Sequence, residues 1–305
     1  MTKNNQDLEH YIKPFIINGL HGRMLRMPAP KNKTKEILVV YGHHASLERM
    51  EGFARALNRY GAITIPDLPG FGGMDSYFKI GLTPTIDNLA DYLAAFIKLR
   101  YRNRRITIVS VSLGFGIATR MLQKYPDLAD RVDLLVSGVG FLHHSDIKYP
   151  PRKMKLFRAL TKILSTRIVS GIMRLGLKIK PLVRWSLLFA DRHNKSEPPE
   201  QKRLRIDFET NLWRINDIRT HFYTLNRILN IDICSSSVST HLECIAVDND
   251  QYLDRHIVQQ HNKIVFSDFN TSVIKSERHA PTVVASADEA IEFIPGRIRK
   301  ALNKQ

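Results

Sequence analysis

Apolar runs alternate with stretches of helical period along most of this chain, and the alternation predicts its elements. Residues 12–27, IKPFIINGLHGRMLRM, read as two short strands around a Gly-containing turn. EILVVYG (36–42) is a buried strand by its continuous apolar run. SLERMEGFARALNRYG (46–61) is a helix with Ser46 as N-cap and Gly61 beyond its end. AITIPD (62–67) predicts a strand, TPTIDNLADYLAAFIKLRY (83–101) an amphipathic helix with Pro84 near its start, and RITIVSV (105–111) a strand. LGFGIATRMLQKYP (113–126) follows as a helix and RVDLLVSGVG (131–140) as a strand. Such order requires a mostly parallel sheet with helices on both faces. From 141 to 230 the pattern is helical only; it returns to strands at LECIAVD (242–248) and NKIVFSD (262–268), and a single helix over 287–304 ends the chain. The expected organisation is an α/β core from 1–140 and 231–305 with a helical insertion, 141–230, that contains a loop at 191–203.

Charge changes the picture of that insertion. The chain of 305 residues carries a net +17, and between Lys148 and Arg227 there are 19 Lys or Arg against six Asp or Glu, so one segment holds +13 of the excess. PRKMKLFRALTKIL (151–164) sets Lys155, Arg158 and Lys162 at helical spacing opposite Leu156, Leu160, Ile163 and Leu164. The stretch 166–181 repeats this, with Arg167, Arg174 and Lys178 against Ile168, Val169, Ile172 and Leu175. The expectation is two helices whose apolar sides face the core and whose basic sides face out, towards solvent or an anionic membrane leaflet. No helix-turn-helix, RRM or zinc-finger pattern accompanies the charge, so no specific nucleic-acid partner is expected. The apolar stretch 168–190 is interrupted by Arg174, Lys178, Lys180 and Arg184 and does not read as a spanning helix. The two cysteines, Cys234 and Cys244, lack metal or disulfide spacing, and the first residues show no secretory or lipidation pattern. A cytoplasmic protein, peripheral at most to the inner membrane face, is the expectation.

Candidate chemistry centres on VSVSLGFG. A serine becomes nucleophilic when a sharp strand-to-helix turn exposes it beside a general base, and the crowding of that turn requires small residues two positions before and after. Around Ser112 these are Ser110 and Gly114. By itself S-x-S-x-G also fits a structural turn.

Three further segments accompany it. VVYGHHAS, DLPGFGGMD, VSVSLGFG and RHAPTVVASADEAIEFI resemble, in this order, the oxyanion loop, the Asp-x-x-Gly-x-Gly loop, the nucleophile elbow and the His-bearing loop of the α/β-hydrolase family, in its capped, lipase- and esterase-like branch. The resemblance implies an α/β-hydrolase fold and a serine hydrolase of carboxylic esters, of a lipid or another amphiphile, acting through an acyl-enzyme. It implies Ser112 as nucleophile, His279 as base and Asp250 as acid, with Asp248 the alternative, and oxyanion donors at the backbone N–H of Leu113 and His43. The insertion would be a cap over the site. Thioesterase, C–C hydrolase and acyltransferase chemistry use the same triad. Ser110, Tyr41 and Met74 depart from the residues more usual in the family, which leaves a non-catalytic binding scaffold open. His43 and His44 are adjacent, and neighbouring histidines seldom chelate one ion, so neither metal nor cofactor is expected.

Overall fold

The computed structural model describes residues 8–177, 179–190, 199–276, 279 and 286–304. Lys178 and the start of the 191–203 loop lie outside them. Eight strands form one sheet in the order β1-β2-β4-β3-β5-β6-β7-β8. They are β1 (Ile12–Ile17), β2 (Leu20–Met27), β3 (Glu36–Val40), β4 (Ala62–Pro66), β5 (Ile106–Val111), β6 (Val132–Gly138), β7 (Leu242–Val247) and β8 (Phe269–Ile274). The first two strands join through Asn18 and Gly19, both at positive φ as a tight hairpin turn demands, and pair antiparallel to each other and to β4. All remaining pairings are parallel.

Chain order places the helices. From β3 the chain crosses through α1 (Glu51–Asn58) to β4 on one side, then through α2 (Ile86–Tyr101) back past β3 to β5. Right-handed crossovers running in opposite directions put these two helices on opposite faces. α3 (Leu113–Lys124), followed by the short α4 (Pro126–Ala129), continues in the second direction and packs on α2. Between β6 and β7 lie α5 (Pro151–Leu164), α6 (Arg167–Leu177), α7 (Lys180–Ala190), α8 (Pro199–Ile215) and α9 (Ile218–Ile228). α10 (Arg255–Val265) precedes β8, and α11 (Ala287–Glu292) and α12 (Gly296–Asn303) end the chain, with α11 against α1.

Four local expectations are corrected. NKIVFSD is not a strand: Asp254 caps α10 by accepting from His256 N and Ile257 N, and helical spacing buries Asn262 and Val265, so the strand begins only at Phe269. The helix expected over 46–61 opens as a 3₁₀ turn, Leu47–Met50, and Ser46 makes no side-chain cap bond. Pro295 divides the last helix into α11 and α12. The fourth concerns α5 and α6, whose apolar stripes face out. Met154 and Thr161 are the buried side chains of α5, while Leu156, Leu160 and Ile163 are exposed; Arg158 is half-buried and its Nε donates to the Leu229 carbonyl at 2.8 Å. In α6 the buried residue is Ser170, and Ile168, Ile172 and Leu175 are exposed.

The helical segment docks on the loop after β4. Asp217 N donates to Gly70 O and Gly72 N to Asn216 Oδ1, both at 2.8 Å, and Ser76 and Thr220 share a hydroxyl bond of 2.7 Å. Gly70 has φ +84°, and a Cβ there would lie 2.5 Å from Thr220 Oγ1, so the contact needs glycine twice over.

Candidate active site

Ser112 sits between β5 and α3 at φ 50°, ψ −120°, a left-handed conformation that a serine holds only when the surroundings enforce it. Its N–H donates to Gly138 O on β6 at 2.9 Å. The start of α3 presses against the end of β3 so closely that a Cβ on Gly114 would stand 2.2 Å from Val40 O, which explains the last position of the motif. Ser110, at the first small position, is fully buried and donates its hydroxyl to Val136 O at 2.8 Å. It is part of the sheet; both serines border the cavity beyond the strand ends, but Ser112 does so with a partly exposed side chain and a hydroxyl not tied to the sheet.

Beyond β7 the chain turns at Asp250, whose carboxylate is buried. One oxygen accepts from Tyr252 N (2.8 Å) and Leu253 N (3.1 Å); the other meets His279 Nδ1 at 2.6 Å. Burial pushes this carboxyl up, but the His279 hydrogen bond and charge and the two backbone donors outweigh it and hold Asp250 below the ordinary carboxylate value. Lys148, just ahead of α5, donates Nζ to the Asp250 carbonyl at 2.9 Å and fixes the same turn. Asp248 points elsewhere, 2.9 Å from Arg255 Nη1 on the half-exposed surface. Nδ1 of His279 is thus taken up by Asp250, which leaves Nε2 as the other ring nitrogen.

Leu113 opens α3, so its N–H is among the four that a helix leaves unused, and it carries the positive end of the helix dipole. The His43 N–H, just past β3, finds no backbone carbonyl among the described residues. The loop that holds it is braced from two sides. Below, Tyr41 donates its hydroxyl to Asp67 Oδ1 (2.9 Å) and accepts from Leu68 N (2.7 Å), so the tyrosine ties the loop after β3 to the loop after β4. Arg23 pairs with Asp67 Oδ2 at 2.8 Å on the other side. Burial raises the Asp67 carboxyl to about 7, with Arg23 pulling it down. Above, His43 Nε2 donates to His221 O at 2.9 Å, His44 and His221 join through their Nδ1 atoms at 3.2 Å, and Asn216 reaches His44 Nδ1 at 3.3 Å. Trp213 lies against both His44 and His221, with ring centroids 4.4 and 4.6 Å away. Burial depresses all three histidines, His43 to about 3, and so favours their neutral form. Glu209 faces His44 Nε2 at 3.6 Å and pairs with Arg49; burial pushes its carboxyl up, but these two partners hold it below its ordinary value.

Ser112, His279 and His43 border one cavity of about 540 Å³. Val109 and Val136 of the sheet and Phe53 and Leu57 of α1 form part of its wall, and Leu225 and Ile228 of α9 close it from the helical segment. An apolar space of this size with a few polar groups at one end suits a ligand with a hydrocarbon part. Among the described residues, no group of three or more His, Cys, Asp or Glu could hold a metal ion. Sequence reading did not find Lys148, Glu209, Trp213 or His221. Glu209 is one of six acids between Lys148 and Arg227, so nothing in the sequence singled it out.

No protein-family model matches the sequence, and no curated protein matches it either. Solved structures do. A thermophilic esterase from Thermogutta terrifontis superposes with a TM-score of 0.63 at 14% identity, covering 96% of this chain and 98% of that one. A membrane phospholipase A described as a bacterial virulence factor gives 0.67 at 17%, covering 96% and 87%. A structure from work on carboxylesterases of the thaumarchaeon Nitrososphaera gargenis gives 0.63 at 11%, covering 95% and 96%. At such identities the shared property is the fold alone. The chain therefore has the α/β-hydrolase fold.

Proposed function

We propose that the protein is a serine hydrolase of carboxylic esters with an apolar acyl or alcohol part. The observation that carries this reading is the 2.6 Å bond between Asp250 and His279 Nδ1, made at the wall of the cavity that Ser112 also borders. His279 Nε2 takes the proton of Ser112 Oγ as that oxygen attacks the ester carbonyl carbon, and Asp250 stabilises the imidazolium. The carbonyl oxygen becomes an oxyanion received by the N–H groups of Leu113 and His43. Collapse returns the proton from Nε2 to the leaving alcohol and leaves an acyl group on Ser112. Water, deprotonated by the same nitrogen, then releases the acid. The segment 141–230 acts in this reading as a cap, because α9 closes the cavity and the Trp213–His221 cluster rests on the oxyanion loop. Its basic excess supports contact with an anionic membrane leaflet and a lipid-like substrate, in keeping with the phospholipase and esterases of similar fold.

Labelling with a fluorophosphonate tests the chemistry. The protein is expected to be labelled once per chain and Ser112→Ala not at all. An unlabelled wild-type protein would leave a binding scaffold as the reading. Labelling accompanied by acyl transfer to alcohol or amine acceptors in preference to water would make it an acyltransferase.

A further inference from the structure

On three consecutive helices the large apolar side chains stand in solvent at helical spacing. They are Leu156, Leu160 and Ile163 on α5; Ile168, Ile172 and Leu175 on α6; and Leu182, Trp185 and Leu188 on α7, with Ile168 76% and Trp185 63% exposed. At about 100° per residue, the sets on α5 and α6, and Trp185 and Leu188 on α7, lie opposite their helix's buried side chains, which are Met154 and Thr161, Ser170, and Val183 respectively, with Leu182 about a quarter turn from Val183. α5 and α6 turn their buried sides to α9, α5 touches α6 and α6 touches α7, so the three stripes lie on adjoining helices that face away from the core. Trp185 and Phe189 stack at 5.7 Å, extending the face rather than burying it. A monomer rarely exposes so much contiguous apolar surface without a partner for it.

The charge beside the stripes selects that partner. Residues 151–190 contain ten Lys or Arg and no Asp or Glu. Lys155 and Lys162 flank the stripe of α5, and Arg167 and Arg174 that of α6, all exposed. A second copy docking here would set two such faces against each other, like charge on like. An anionic lipid leaflet meets both requirements, with headgroups for the cations and acyl chains for the apolar side chains. Among the described residues no helix is long and apolar enough to cross a membrane, which leaves insertion parallel to the surface.

We propose that the outer face of α5, α6 and α7 is a bilayer-docking surface, its apolar stripes sunk among the upper acyl chains of an anionic leaflet and its lysines and arginines at the phosphates. This rests on the membrane contact suggested above and is independent of the hydrolytic chemistry. It differs in kind from attraction by a basic face alone, because insertion survives salt.

The test is co-sedimentation of the full chain with vesicles of phosphatidylcholine with and without phosphatidylserine, at about 0.1 and 0.5 M salt. Binding is expected to require phosphatidylserine at low salt and to weaken, without vanishing, at high salt. Ile168→Gln/Ile172→Gln/Trp185→Gln is expected to lower partition about a hundredfold at both salts. Lys155→Gln/Lys162→Gln/Arg174→Gln should lower it about tenfold or more at low salt only. Trp185 emission should shift to the blue on vesicle addition, and Trp185→Phe, which keeps the apolar face, should bind with that shift lost. Complete release by salt together with wild-type binding of the triple apolar variant would overturn insertion while leaving electrostatic contact standing. No binding by a monomer would overturn both. Concentration-dependent dimers that the apolar variant dissociates would assign the face to a second copy. Fluorophosphonate labelling, read on the same samples, reports the hydrolase reading separately from all of these.

Discussion

In β3, Ile37, Leu38, Val39 and Val40 are wholly buried, whereas in α5 Leu156, Leu160 and Ile163 stand in solvent, although both stretches are apolar in sequence. A central parallel strand is covered on both faces, so any apolar run in it is buried whichever way each side chain points. A peripheral helix has one protein-facing side, and its neighbours choose which. For α5 the choice is polar: Asn226 of α9 donates to Thr161 Oγ1 and to Arg158 O, both at 2.9 Å, and Arg158 donates to Leu229 O. These bonds hold the helix by its polar stripe and leave the apolar one outside. Hydrophobicity therefore builds the core in one region and an external surface in the other.

The largest effects belong to the core. Ser112→Ala and His279→Ala are each expected to reduce ester turnover by about 10⁴-fold or more, and Asp250→Asn by less, about a hundredfold to a thousandfold, because the acid orients the base and transfers no proton itself. Asp248→Asn should leave turnover nearly unchanged; a larger loss there than for Asp250→Asn would reassign the acid. All four are read as kcat/KM on a small soluble ester, on which the outward-facing variants of α5 to α7 should match wild type.

Stability sharpens the contrast next. Leu38→Ala should cost about 2–5 kcal/mol in urea unfolding, and Leu160→Ala within about 0.5 kcal/mol of nothing. Comparable losses would mean that the outer stripe packs against the protein after all.

The seam between the two regions should respond to acid. Burial favours the neutral form of His43, His44 and His221, with His43 at about 3. In the unfolded chain they take up protons from about pH 6.5 downward, so the unfolded state binds more protons, and each unit of depression is about 1.4 kcal/mol. Their contribution to stability is then fully present above pH 6.5 and lost as pH falls towards 3, while the raised Asp67 carboxyl contributes in the opposite direction below about 7. The histidine part is read as the difference between wild type and His221→Gln, whose urea midpoint should fall less with acid. The smallest effect is expected of Ser110→Ala: turnover within about threefold of wild type and roughly 1 kcal/mol less stability, from the bond to Val136 O.

How far the sequence could be read depends on how local each cause is. Ser112 was legible because the strand, the small residues and the helix that form its turn are contiguous. The pairing of His279 with Asp250 could be expected only from the family resemblance, through their order in the chain. The strand Phe269–Ile274 was obscured by NKIVF, whose apolar density outweighs that of FNTSVI, because an edge strand is only half-buried and needs fewer apolar residues. The brace of His44 by His221 joins positions 177 residues apart, and nothing local to either announces it. The facing of α5 fails for the same reason. Its partners Asn226 and Leu229 lie beyond four helix boundaries, and a periodicity count weighs apolar residues while the contact was made by polar ones.

The placement of α5 to α9 between β6 and β7 also sets an order in time. Gly138 must pair with Ile245, and closing a span of that length is slow compared with joining β3, β4 and β5, which lie closer in sequence. During synthesis the strand bearing Ser112 can settle against β3 and β6 while the chain for Asp250 and His279 does not yet exist. For that interval β6 is an open edge, the kind of surface on which aggregation begins. By contact order, the pairing of β7 with β6 that brings Asp250 and His279 towards Ser112 is expected late in folding, and it is the step that most needs protection.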